Sequence, residues 1–445
     1  MIAILRQRNF ALLWVGGLIS NTGDWLLIIG LPVYVYLLTG SALATSITLI
    51  TAFVPNLLIG SVAGVFVDRW DRRWTMIISN LLLALGLLPM LAVHSKDTLW
   101  IVYVVAFFES CCDQFVSPTE SALIPNLVSE EHLVPANALK SIGMNSSRLI
   151  GGALGGIVLV VLGLRGVVLI DAISFLFVAI MISFIRMPAK MQSTSQLPET
   201  SSPETHTANE NNKQEKAEHP LRHFVGEWLE GLQLIRQQRA LTMLLVMFAL
   251  QSLGEGVFGV LLVVFVKQVL HGGSVDYGLI LSIQAVGSLV GGIFIGTFGN
   301  RFAPARMLGV CVVLFGLIDL LIIDIPVFLP SLLLVMALFV VVGIPGTAGM
   351  VSFQSLLQFL IEDKLRGRVF GVAISIGALM TLLGMILAGA LGDRLGPVLM
   401  LNIQGGMYTL PGILVILTLW WLKIGKQAAR ETGTAVGDEQ VVAAE

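Results

Sequence analysis

Asp24 stands in "SNTGDWLLIIG" (residues 20–30), inside an apolar run from near Phe10 to near Leu38. Glu255 stands in a second such run, in "SLGEGVFGVLL" (252–262). A charged side chain at the centre of a bilayer span costs about 2.5–3.5 kcal/mol, so an acid there needs a reason. Buried carboxylates can load and release protons or hold a cationic substrate. The bland alternative is a structural hydrogen bond, for Asp24 to Ser20, Asn21 or a backbone group. Glu109 and Asp113, four residues apart, share one helical face. Arg148, in another apolar run, is the expected partner of one of them, as a gate, a proton relay or a brace. Asp171 and Asp319 read as lying towards the outer ends of their runs, within reach of water, and are assigned no role.

These residues need long apolar elements to carry them, and the composition supplies such elements. Of 445 residues, 56% are hydrophobic and 12% charged, against about 25% charged in a soluble domain. A window of about 20 residues finds twelve runs, at 11–38, 43–67, 74–93, 98–116, 140–162, 165–186, 240–268, 276–299, 306–324, 328–351, 369–391 and 398–423. The expected fold is an all-α polytopic membrane protein, with six spans in residues 1–188 and six in 239–424. The first run is too long for a cleaved leader. Residues 189–220, rich in Pro, Ser, Thr and Glu, cannot bury a core and read as a flexible linker. In 221–238, Leu221, Phe224, Val225, Trp228, Leu229, Leu232 and Ile235 recur at helical spacing. They predict an amphipathic helix lying on the membrane or packed on the bundle. Residues 425–445 form a polar tail. Cys111, Cys112 and Cys311 all fall in apolar runs without metal-ligand spacing, so no metal is expected.

With twelve spans, one side receives both termini and the even-numbered loops. That side holds 21 of the 26 Lys and Arg residues. The positive-inside rule then places both termini in the cytoplasm, with the protein in the plasma (inner) membrane.

The chain also resembles itself at an offset of 231–232 residues. "RNFALLWVGGLISNTGDW" (8–25) lies over the run from Arg239, so that Gly23-Asp24 meets Gly254-Glu255. "GVFVDRW" (64–70) lies over "GTFGNRF" (296–302), and "SEEHL" (129–133) over "IEDKL" (361–365). Two six-span halves of like orientation follow, related by an axis along the membrane normal, an arrangement that puts a transported molecule between the halves. The paired acids would then flank one central cavity, with Trp25 and Phe258 as candidate lining.

On these residues the chain resembles the major facilitator superfamily over essentially its whole length. "GSVAGVFVDRWDRR" (60–73) matches the family's Gly-x-x-x-Asp-Arg-x-Gly-Arg-Lys loop through Gly64, Asp68, Arg69, Arg72 and Arg73, with Asp71 where Gly is usual. The second-half copy keeps Arg301 and has Asn300 for the acid. The resemblance implies a latch that holds the cytoplasmic side shut; a charged turn obeying the topology rule is the plain alternative. "RNFALLWVGGLISNTGDW", "SPTESALIPNLVSEEHLVPANAL" and "DKLRGRVFGV" are similar to the drug- and siderophore-exporter branch, which includes macrolide-efflux and enterobactin-exporter-like proteins. Gly151, Gly152, Gly155 and Gly156 fall where exporters carry a Gly-Pro-rich motif, with Gly152 in place of the Pro. Close helix packing also explains that spacing.

No phosphate loop, zinc motif, nucleophile elbow or dinucleotide fingerprint occurs, so an enzyme, direct use of ATP and nucleic-acid binding are not expected. A transport-inactive sensor would need an attached receiver domain, and the short termini offer none. The expectation is a secondary transporter without cofactor, driven by the proton gradient and exporting amphipathic or hydrophobic drug-like molecules as a monomer in the lipid bilayer. Export of a siderophore or lipid-like metabolite, or import, is the alternative.

Overall fold

The computed structural model of the chain describes residues 4–67, 69–185, 220–329, 331–362 and 365–421. Of the expected 189–220 linker only Pro220 is described, and it opens a helix; residues 189–219, the 425–445 tail and Asp68 lie outside the described residues. Among the described residues there is no strand, as expected of a chain whose backbone must satisfy itself within lipid.

The first half comprises α1 (Arg8–Thr39), α2 (Ala42–Val67), α3 (Arg72–Leu87), α4 (Leu99–Leu127) and α5 (Leu133–Ser183). After α6 (Pro220–Gln237), the second half comprises α7 (Arg239–Gln268), α8 (Ser274–Phe298), α9 (Pro304–Phe328), α10 (Leu332–Leu360), α11 (Arg366–Leu395) and α12 (Pro397–Trp421). Among the described residues, eleven continuous stretches are long and apolar enough to cross a membrane. One of them, α5, is two crossings in one: Gly163 breaks it with φ 66°, a left-handed backbone that suits glycine. Among the described residues twelve crossings therefore stand, six in each half.

Local chemistry sets the turns. Gly40 closes α1 at φ 69°, its N–H donating to the Tyr36 carbonyl at 2.8 Å, a left-handed C-cap. Asp71 caps α3 by accepting from the Trp74 N–H at 2.8 Å, so the acid that departs from the loop pattern has a helix-capping role.

The buried apolar residues reveal how the halves meet. One cluster, including Ile29, Val35, Leu87 and Val102 of the first half and Val260, Phe265, Phe339 and Ala388 of the second, runs across both halves. Near the termini the core is divided. Phe10, Leu123 and Ile182 belong to a first-half cluster, whereas Leu241, Leu308 and Leu356 belong to a separate second-half cluster. The α6 helix joins the latter through Ile235, with Trp228 and Leu232 partly buried against it, while Leu229 is exposed. An ion pair at 2.6 Å between Glu230 and Arg368 ties α6 to α11.

Candidate functional site

Several helices of each half converge on the acids. Asp24 lies near the middle of α1, on the wall of a cavity of about 350 Å³ that Asn21, Trp25, Glu109, Asp113 and Phe175 also line. Glu255, near the middle of α7, lines a cavity of about 340 Å³ with Phe248, Phe315, Phe353, Met350 and Tyr408. Each of these two cavities is lined by residues of one half alone. Trp25 lines the first as expected. Phe258 lines neither; its ring packs on Phe339 with centroids 6.3 Å apart.

The structure corrects three sequence expectations about charge. Asp171 and Asp319 are not at watery span ends: they are 0% and 3% exposed. Asp171 sits two helical turns past the Gly163 break, deep enough for neighbouring helices to seal it. Arg148 forms an ion pair with neither Glu109 nor Asp113. Its guanidinium stands over the Trp25 ring, 5.3 Å from the centroid, and its electrostatic partner is Glu255 of the other half. Asn21 does not hold Asp24 either, since its amide donates to the Gly17 carbonyl at 2.6 Å.

The acids therefore form two unlike groups. In the first half, one carboxylate oxygen each from Asp24, Glu109 and Asp171 lies within 4.8 Å of the others. The charged groups acting on Asp24 are Asp171, Asp113 and Glu109, all acidic. At an effective dielectric of ~20, two ionised carboxylates at that separation repel by about 3 kcal/mol, so the three cannot all stay ionised without a proton or a cation. In the second half, Gln404 donates to Asp319 at 2.8 Å. Tyr408 bonds Gln404 and donates to Glu255, and Arg148 supplies positive charge. This hydrogen-bonded chain balances its acids.

Gly23 and Gly254 make both groups possible. A side chain at Gly23 would strike the carboxylate of Asp171 and the hydroxyl of Ser174; one at Gly254 would press on Gln404 and Tyr408. The repeat visible in the sequence thus recurs as geometry, with Gln404 occupying the place of Asp171. Sequence reasoning passed over Asp171, although an acid in "VVLIDAISFLF" is itself an anomaly in an apolar run.

The span-5 glycines are packing residues of two kinds. Gly151 and Gly155 face Trp25 and Ile29 of α1, whereas Gly152 and Gly156 face Ser282 and Ser274 of α8 across the boundary between halves. The hydrogen bonds between halves gather at the same end. Ser46 Oγ donates to the Met385 carbonyl at 2.6 Å, and Gln268 donates to the Tyr36 hydroxyl at 2.8 Å. Asp393 accepts from Ser41 Oγ at 2.9 Å and from the Ala42 N–H at 2.8 Å, capping α2 from the opposite half. The molecule is closed at this end and divided towards the termini. Removing the Asp393 cap should cost about 1 kcal/mol, roughly a fivefold population shift. Asp393→Ala is expected to lengthen the distance between spin labels at Lys96 and His271 in that fraction of molecules; an unchanged distance distribution would deny the cap this role.

The loop after α2 makes no bond to the second half among its described residues. Arg72 donates to the Ala122 carbonyl at 3.0 Å and Arg73 to the carbonyls of Ile182 and Ser183, both within the first half. Arg69 is exposed. Gly64 lies in α2. Asn300 falls in a 3-10 turn, and the Arg301 guanidinium stands over Phe298 at 5.4 Å.

Comparison with known proteins gives a consistent picture. A family profile described as "Transmembrane secretion effector" matches residues 1–203, and one described as "Major Facilitator Superfamily" matches 244–443. Macrolide efflux protein A of Streptococcus pyogenes is 25% identical over 399 residues, covering 88% of this chain and 91% of that protein. Multidrug efflux pump Tap of Mycolicibacterium fortuitum is 24% identical over 400 residues, with the same coverage. A crystal structure of a bacterial homologue of the iron transporter ferroportin, in an inward-facing state, superposes with a TM-score of 0.69 at 14% identity, covering 93% of this chain and 98% of the other.

Proposed function

The chain belongs to the major facilitator superfamily, a multi-pass membrane transporter and not an enzyme, and from that premise we propose that it exports amphipathic or hydrophobic molecules in exchange for protons. The observation that carries this reading is the placement of Asp24 and Glu255. Each stands at mid-span on a cavity wall otherwise rich in aromatic and aliphatic groups. Such walls suit bulky, largely apolar cargo, and the few acids orient it or accept the exchanged protons. Macrolide and multidrug efflux by relatives at about one-quarter identity supports export as the direction.

With both termini cytoplasmic, the structure is the inward-open state, and transport is a rocking of one half against the other about the acids. The closed outer end would part when the inner ends meet. In this state Arg72 and Arg73 of the 64–73 loop bond within their own half, so the latch is engaged only in the opposite state. The transporter works as a monomer in the plasma membrane, with the proton gradient as its energy source.

Expression in an efflux-deficient host should lower the accumulation of fluorescent lipophilic compounds or macrolides. A protonophore should restore that accumulation. Accumulation unchanged by expression across the panel would count against drug export, and export indifferent to the protonophore would count against proton drive.

A further inference from the structure

The acids of the two halves are not equivalent in charge, and the first-half group calls for a positive ion. We propose that Asp24, Glu109 and Asp171 form a site for one hard divalent cation of the Ca²⁺ or Mn²⁺ class, bound through oxygen alone. The three donor oxygens lie within 4.8 Å of one another. An ion bound at about 2.3–2.6 Å to each would span that separation. A donor set of carboxylates without nitrogen or sulfur selects hard cations.

Independent observations point the same way. Asp171 is fully buried; its Oδ1 accepts from Ser174 Oγ at 3.3 Å, but its Oδ2 has no hydrogen-bond partner. Buried polar atoms are nearly always satisfied, so an orphaned carboxylate oxygen within a ring of acids marks a missing positive partner. The protein does not supply one. Arg148, half-buried, is stacked on Trp25 and acts on Glu255. No ion pair among the described residues involves the triad. Asp24 and Glu109 line the first-half cavity, so an ion has a way in to the donor oxygens, and Asp171 is fully buried beside them.

The second half serves as an internal control. There, Gln404 stands where Asp171 stands, and its amide donates to Asp319. Glu255 is bonded by Tyr408 and faces Arg148. There each acid faces a donor or a cation of the protein itself, and the buried atoms left without a partner are Gln404 Oε1 and Arg148 Nε rather than a carboxylate oxygen. The inference rests on reading Asp24 as an ion-handling residue. It departs from the metal-free expectation because Asp171, the ligand that completes the set, was assigned no role in the sequence.

The test is a titration of purified full-length protein in nanodiscs with Mn²⁺ alone, with free Mn²⁺ followed by electron paramagnetic resonance. One saturable Mn²⁺ per chain is expected, displaced by Ca²⁺. Glu109→Gln and Asp171→Asn should each weaken it by about tenfold or more, while Asp319→Asn in the second half leaves it unchanged. Should Asp171→Asn fail to fold, Glu109→Gln, at the cavity wall, still decides the matter. No saturable binding at millimolar Mn²⁺, or undiminished binding by Glu109→Gln, overturns the site. Efflux by the same purified protein reconstituted into closed lipid vesicles separates the two readings. Mn²⁺ binding without any efflux overturns the transport reading alone, and proton-driven efflux without Mn²⁺ binding overturns the cation site alone.

Discussion

Asp24→Asn should abolish uphill efflux while leaving substrate binding and downhill exchange in place. The substitution keeps size and hydrogen-bonding capacity but removes the group that can carry a proton through the cycle. A pH difference of one unit is worth about 1.4 kcal/mol per proton, which sustains about a tenfold concentration ratio. In vesicles with that gradient, wild-type protein should build up such a ratio and Asp24→Asn should relax to equality. Equilibrium binding of a fluorescent substrate should change far less than transport. Full gradient-driven accumulation by the mutant would remove Asp24 from the coupling mechanism. The contrast with Glu255→Gln is informative, because Glu255 is balanced by Arg148 and Tyr408 whereas Asp24 has only acids for charged neighbours.

Gly156→Leu should stop the cycle by a different route, acting on the boundary between halves. A side chain at this position runs into the backbone of Ser274 and Val275 at the start of α8, where it has no flexible neighbour to displace. Overpacking of this kind costs about 1–3 kcal/mol, equivalent to roughly a 5- to 150-fold shift in a two-state equilibrium. The penalty falls only on the state in which the outer end is closed. The variant should fold, insert and resist accessibility probes at the inner end, while cysteines introduced at the outer end become reactive. Transport should fall with that shift. A variant with wild-type accessibility at both ends would mean that α5 and α8 do not need this close approach. The companion change Gly151→Leu faces α1 within the same half, so it should lower stability without the same bias between states.

Much of this architecture was legible in the chain. Composition and run lengths specify helices that cross a bilayer, because no other element except a closed barrel satisfies its backbone in lipid. The 231-residue offset that lays Asp24 on Glu255 announces two related halves, and Asp24 and Glu109 declare themselves as acids in apolar surroundings. Even the crossing that fuses into α5 is countable, since "VVLGLRG" (160–166) places a glycine where two apolar runs adjoin.

Other features depended on which faces the helices present to one another. A single sequence gives the position of Arg148 along its helix but not its azimuth, so its partner could not be read there. Packing turns it to Trp25 and Glu255 rather than to Glu109 or Asp113. Depth misled in the same way for Asp171: distance along a span suggested water, but close approach of α1 at Gly23 seals the carboxylate. The lining of each cavity by one half, the division of labour between Gly151/Gly155 and Gly152/Gly156, and closure at one end alone are likewise relations between helices. Periodicity and hydropathy are properties of one element at a time, and they sufficed for the number, span and repetition of the helices. Which charges are balanced and which are left for an ion is decided by side chains from α1, α4 and α5 meeting within a few ångströms, and only the tertiary structure brings them together.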